Sequence, residues 1–207
     1  MSPQSPQDPG REMDRRCFFG SALAGAAGFL FQLFESDLNQ WTSGLPALSA
    51  VGCGHLRPPG ALAEKEFLEK CTQCNDCLKV CPRSAIQQAD DTWETPLRGF
   101  PVIVPDQAPC IMCETIHCID ACQTGALTKG RSWDTIRMGF PVVRDARCLN
   151  VRGESCRQCV VVCPLASKGA ITMPGVEIPQ FHPDVCTGCG ICVYECPADA
   201  IAVRPLP

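Results

Sequence analysis

Residues 71–82 read CTQCNDCLKVCP, and residues 186–197 read CTGCGICVYECP. Both stretches follow one spacing, C-x2-C-x2-C-x3-C-P. Between them, residues 110–122 read CIMCETIHCIDAC and residues 148–164 read CLNVRGESCRQCVVVCP, with an x4 gap in the one and an x7 gap in the other. Sixteen of the 18 cysteines thus fall into four tetrads. These are Cys71, Cys74, Cys77 and Cys81; Cys110, Cys113, Cys118 and Cys122; Cys148, Cys156, Cys159 and Cys163; and Cys186, Cys189, Cys192 and Cys196. Cys17 and Cys53 belong to none of them.

The regular spacing is the one with which bacterial ferredoxins hold [4Fe-4S] clusters. Three thiolates on a tight loop cap three irons of one cube, and the fourth cysteine reaches the partner cluster. Two other chemistries use dense cysteines. A disulfide framework is the default for an exported chain with an even cysteine count. It gives no reason for four tetrads that each close with x3-Cys, three of them followed by Pro. Zinc binds C-x2-C pairs, but draws them from separated knuckles rather than crowding four into eleven residues. The cofactors expected are therefore four [4Fe-4S] clusters.

The chain of 207 residues has 9 Phe, 3 Trp and 1 Tyr, so its aromatic core is poor and another source of cohesion is needed. A net charge of −4 argues against nucleic acid as a partner, and thiolate-bound clusters would deepen it. The repeat extends beyond the cysteines. Each tetrad is followed by a small residue and an aliphatic one: Ala85-Ile86, Ala126-Leu127, Ala170-Ile171 and Ala200-Ile201. RGFPVIVPDQAPC from Arg98 and GFPVVRDARC from Gly139 precede the inner tetrads, and their Val-rich centres read as short strands. Pro82, Pro164 and Pro197 are expected at helix starts.

The fold class expected is α+β, a four-cluster protein made of two bacterial-type 2[4Fe-4S] modules. Because the outer tetrads match and the inner two are irregular, the spacing pairs first with fourth and second with third, with sequential pairing as the alternative. Cys71, Cys74 and Cys77 then share a cluster with Cys196, and Cys186, Cys189 and Cys192 share one with Cys81. Cys110, Cys113 and Cys118 join Cys163, and Cys148, Cys156 and Cys159 join Cys122. The outer module comprises residues 71–97 and 180–207, the inner module residues 98–179. Residues 51–70 are a linker and lead-in helix.

Residues 1–50 read as a polar leader and a twin-arginine signal or anchor. Arg15-Arg16-Cys17-Phe18 leads into an uncharged run over residues 18–34. Cluster insertion needs reduced thiols, whereas the periplasm oxidises them, so cargo of this kind should cross folded and loaded. The localisation expected is periplasmic, by way of the twin-arginine export machinery. Ala47-Leu48-Ser49-Ala50 offers a cleavage region; left uncleaved, the apolar run offers a membrane anchor. Cys53, in LSAVGCG, loosely resembles an acylation site, set against a spare thiol in a linker.

The arrangement resembles the family of ferredoxin-type proteins NapG and MauM. The resemblance runs from Leu56 to Val203. It rests on LRPPGALAEKEFLEKC, PCIMCETIHCIDAC, RMGFPVVRDARCLNVRGESCRQCVVVCPL and HPDVCTGCGICVYECP. Gln123 departs from it, standing where a proline is expected after the second tetrad, and is expected to expose that cluster to solvent. The resemblance implies an electron relay between a polytopic membrane quinol-oxidising protein and a downstream periplasmic redox protein, of nitrate-reductase type or within methylamine utilisation. An alternative is the electron-transfer subunit of a molybdenum oxidoreductase or hydrogenase; a lesser one is a disulfide- or zinc-stabilised binding protein. No substrate chemistry is legible, since His55, His117 and His182 form no triad. His117, inside a complete tetrad, reads as a loop residue near cluster sulfur, and Glu195 and Asp199 as solvated. The chain is expected to be an electron carrier and not an enzyme.

Overall fold

Long regular elements are scarce here, because four ligand loops interrupt the chain at short intervals. The computed structural model describes residues 55–90, 97–175 and 177–206. The twin-arginine segment, the run over residues 18–34, Cys17 and Cys53 lie outside the described residues. Five short helices are found: α1 (Glu64–Lys70), α2 (Asp76–Lys79), α3 (His117–Ala121), α4 (Gln158–Val161) and α5 (Ile191–Tyr194). The strands are β1 (Ile86–Gln88), β2 (Pro101–Ile103), β3 (Gly139–Val143), β4 (Ile171–Thr172), β5 (Gln180–Phe181) and β6 (Ile201–Pro205). Among the described residues no helix is long and apolar enough to cross a membrane.

The strands form three antiparallel pairs, β1 with β2, β3 with β6, and β4 with β5. β1 follows the first tetrad and β2 precedes the second, with Ile86 opposite Ile103. The lead-in segment closes this half: Ala61 bridges Leu127, and the Thr128 N–H donates to the Gly60 carbonyl at 2.8 Å. In the other half, β4 and β5 join the third tetrad to the fourth, and the longer β3–β6 pair closes it. Each half thus has an outer antiparallel pairing (a single bridge in the first half), an inner antiparallel strand pair and two ligand loops.

This order corrects the nested expectation. β1 was assigned to the outer module and β2 to the inner one, yet they are partners; so are β3 and β6. The modules follow one another along the chain, with the pairings of residues 56–128 making one and those of residues 139–205 the other. Joining the first tetrad to the second closes a much shorter loop than joining it to the fourth, favoring the sequential order by about 1 kcal/mol in closure entropy. The prolines are also placed differently. Pro82, Pro164 and Pro197 each open a turn directly after the fourth cysteine, while α2, α4 and α5 end just before it. Pro presets φ for the first inner position of a turn, which serves here as well as a helix start.

α1 places Glu64 and Glu66 in its first turn and Lys70 in its last, as the helix dipole favors, and buries Phe67. Arg57 is buried beside it. Its Nε and Nη2 donate to Glu64 at 3.0 and 2.6 Å, and its Nη1 donates to the Pro101 carbonyl at 2.9 Å. The guanidinium lies 4.8 Å from the Phe67 ring centroid and 5.7 Å from that of Phe100. Arg57→Ala removes all of these contacts and should cost about 2–3 kcal/mol in thermal or denaturant unfolding. The hydrogen bond from Arg57 holds the Glu64 carboxyl below its ordinary value, against a smaller opposing effect of burial. A depressed carboxyl contributes stability above its unfolded pKa and loses it as pH falls through the folded one. The gap between Arg57→Ala and the parent should therefore narrow in acid; a gap independent of pH would contradict the ion pair.

Candidate iron–sulfur centres

The first cysteine of a tetrad is held by its own loop. Gln73, Met112 and Gly188 each stand two residues after such a cysteine, with φ of 57°, 55° and 74°. Their N–H groups turn back toward the sulfurs of Cys71, Cys110 and Cys186. Successive N–H groups aimed into one concavity form an anion nest of the kind that iron–sulfur sites use. At Gly188 a side chain is excluded on two grounds, the positive φ and a Cβ that would lie 2.3 Å from the Gly139 carbonyl oxygen. The third tetrad, with its x7 gap, is shaped by Asn150 instead. This buried amide accepts the Cys156 N–H at 2.8 Å and donates to the Glu177 carbonyl at 3.1 Å and to Met173 Sδ at 3.2 Å.

The third cysteine sits in the short helix and is buried in every tetrad: Cys77, Cys118, Cys159 and Cys192. In three tetrads the fourth cysteine accepts a hydrogen bond from the repeated Ala-aliphatic segment. Cys81 Sγ accepts from the Ala85 N–H at 3.3 Å, Cys122 from Leu127 at 3.4 Å and Cys196 from Ala200 at 3.2 Å.

The grouping of these thiols is sequential. Cys81 lines one cavity with Cys110, Cys113 and Cys118. Cys196 lines another with Cys148, Cys156 and Cys159. Both are partly open to solvent. With Cys118 in the cavity that Cys81 completes, Cys122 is left beside Cys71, Cys74 and Cys77: burial raises the Cys77 thiol first, and charge on Cys71, Cys118, Cys74 and Cys122 adds to it. Cys163 is likewise felt by Cys186, Cys189 and Cys192. The nested groups, with Cys81 beside Cys186 or Cys122 beside Cys148, are not formed. In both cavities the fourth cysteine comes from the neighboring tetrad. The sites are numbered here by the tetrad that supplies three thiols: the first takes Cys122, the second Cys81, the third Cys196 and the fourth Cys163.

Burial pushes the Cys77 and Cys118 thiols up to about 12, and Cys159 and Cys189 to about 11, with neighboring thiols adding to it. Four thiolates cannot share such a place unless a positive core offsets both burial and mutual repulsion. A single zinc ion would need its ligands to meet about 2.3 Å from one point. Among the described residues, no three His, Cys, Asp or Glu side chains are placed to hold one ion. All sixteen tetrad thiols are free of disulfides. Thiols spread around a space, with N–H groups on their sulfurs, fit a cubane cluster.

Burial also pushes the Cys122 thiol up, yet hydrogen bonds from the Leu127 N–H, the Thr124 hydroxyl and the Thr124 and Gly125 N–H groups together bring it below its ordinary value. The Thr124 hydroxyl lies 3.6 Å from Cys122 Sγ. Hydrogen bonds to sulfur favor the more negative, reduced state of a cluster. Thr124→Val should lower the midpoint of one cluster by a few tens of millivolts and leave iron content intact. An unchanged midpoint in an EPR-monitored titration would remove Thr124 from the account.

Asn150, Thr124 and Trp133 were missed in the sequence. Trp133 lines the second site and donates from Nε1 to the Cys113 carbonyl at 2.9 Å. His117, at the start of α3, lines the same site. Pro82 and Pro197 line the sites that Cys81 and Cys196 complete. By that rule Gln123 belongs to the first site, which Cys122 completes, and not to the second tetrad's own.

Comparison with known proteins agrees with this geometry. A family profile for a 4Fe-4S dicluster domain matches twice, over residues 70–126 and 152–200, one match within each module. The methylamine utilization ferredoxin-type protein MauM of Methylorubrum extorquens is 41% identical over 163 residues, covering 73% of this chain and 72% of its own. MauM of Paracoccus denitrificans is 39% identical over 169 residues, with 77% and 74% covered. The ferredoxin-type protein NapG of Escherichia coli is 36% identical over 178 residues, with 79% and 76% covered. Paired thiol loops that swap their last cysteine, two dicluster matches and this degree of identity agree: the chain is an iron–sulfur electron-transfer protein and belongs to the MauM and NapG family of ferredoxin-type proteins.

Proposed function

We propose that this chain carries electrons one at a time through four [4Fe-4S] clusters on the periplasmic side of a bacterial membrane. Its donor is a polytopic quinol-oxidising membrane protein, and its acceptor a periplasmic redox protein. Oxidation of one quinol releases two electrons and two protons. The protons leave at the partner and the electrons pass singly into this chain. Each cluster supplies a one-electron couple, and the residues around it set where that couple lies. Ligand thiolates hold the charge, N–H groups of the Ala-aliphatic segments receive part of it, and Pro82, Pro197 and Trp133 limit water.

The observation that carries this reading is the set of four thiol groups, each completed by a cysteine from the neighboring tetrad. The Arg15-Arg16 pair before the apolar run supports the periplasmic side. Of the two routes, methylamine utilisation is the one that relatives are named for, while an acceptor of nitrate-reductase type rests on the family resemblance alone. An export signal of its own sets the chain apart from the electron-transfer subunit of a molybdenum oxidoreductase or hydrogenase, which travels with its catalytic partner. Affinity purification of tagged protein from solubilised membranes distinguishes the two. A polytopic quinol oxidase is expected to co-purify; a molybdenum subunit in its place would overturn the proposal.

A further inference from the structure

The two modules meet through particular ligand loops. The Cys110 N–H, in the second tetrad, donates to the Cys189 carbonyl, in the fourth, at 3.0 Å. Beside it the buried Thr187 hydroxyl donates to Met112 Sδ at 3.4 Å and also bonds the Cys189 thiol, while the Thr187 carbonyl accepts the Met138 N–H at 2.8 Å. Gly190, with φ of +85°, leaves room for Pro105; a Cβ there would stand 2.5 Å from the Pro105 Cβ. One apolar cluster runs through this contact, from Leu56 and Phe67 of the first module to Cys189 and Val203 of the second. The helices carrying the third cysteines meet within each module, α2 with α3 and α4 with α5.

We propose that electrons cross between the modules where the second and fourth ligand loops meet, so that the four sites form a line in the order first, second, fourth, third. The clusters of the first and third sites are then the terminal ones that face external donor and acceptor. The order rests on the reading that each thiol group holds a [4Fe-4S] cluster. Every hop oxidises one cluster by one electron and reduces the next, with no proton required. The chain order of the tetrads, first to fourth, would instead have placed the third site beside the second.

The test is magnetic and uses the full-length protein, isolated anaerobically and reduced. Cys74→Ser with Cys156→Ser removes the two terminal clusters and leaves the junction pair. Cys113→Ser with Cys186→Ser removes the junction pair and leaves the terminal clusters. Pulsed EPR should find dipolar coupling several-fold stronger in the first variant than in the second, since coupling falls with the cube of distance. Equal coupling, or stronger coupling between the terminal clusters, would overturn the order. If a serine variant fails to fold, Cys113→Asp changes the second cluster's spectrum while keeping a ligand. The altered spectrum should then be split by the first and fourth clusters, a splitting reduced on adding Cys186→Ser and unchanged on adding Cys156→Ser. The reverse pattern would overturn the order. Unmodified protein without iron or a reduced signal would instead sink the relay reading itself.

Discussion

Replacing Cys77 with serine is expected to remove about a quarter of the bound iron, from about sixteen to about twelve atoms per chain, and to leave the second module loaded. Cys77 is buried in α2 on the same ligand loop as Cys71 and Cys74, which places its sulfur in the first site. It also shares an apolar cluster with Cys118, Ile86 and Ile103. Loss of the first cluster should therefore loosen the first module and lower its unfolding transition. The third and fourth sites draw no ligand from that module, and they pack in part against a separate cluster of Ile171, Met173 and Ile201. Iron and sulfide analysis with EPR reads the outcome. Full iron content in the variant would show that Cys77 is no ligand, and loss of all iron would show that the modules cannot load separately.

Changing Arg15 and Arg16 together to lysine is expected to stop export and leave loaded protein in the cytoplasm. Reduced thiols and the machinery for cluster assembly are cytoplasmic, while the periplasm drives free cysteines toward disulfides. A chain with sixteen tetrad cysteines that crossed unfolded would meet the oxidant before it met iron. Only a route for folded cargo avoids this, and a twin-arginine signal addresses that route. Fractionation followed by immunoblotting should find most of the periplasmic pool gone. Undiminished periplasmic protein would contradict the export argument and leave the cluster chemistry untouched.

The tetrads were legible because ligand spacing is local: three thiols on one loop are fixed by a dozen residues of sequence. The Val-rich strands before the second and third tetrads were legible for the same reason, and β2 and β3 stand there. Pairing was not local. The likeness of Cys71–Cys81 to Cys186–Cys196 reports common descent, whereas contact is decided by which strands meet. The Ala85-Ile86 segment meets β2 because β2 is the next strand along the chain and pairs with it antiparallel. The x7 gap in the third tetrad looked like an irregularity to be matched with another. In the structure it is a loop pinned by Asn150, and such a loop imposes no partner. Thr124 and Thr187 gave no signal, because a hydroxyl beside sulfur is indistinguishable in sequence from any surface threonine.

The claim at the center is that these thiols hold cubane clusters and not zinc or one another. Iron and acid-labile sulfide per chain, measured on protein prepared without oxygen, test it most directly. The account predicts about sixteen of each, in a brown protein with a broad visible absorption shoulder. Colorless protein with stoichiometric zinc, or with its tetrad cysteines joined as disulfides, would contradict it.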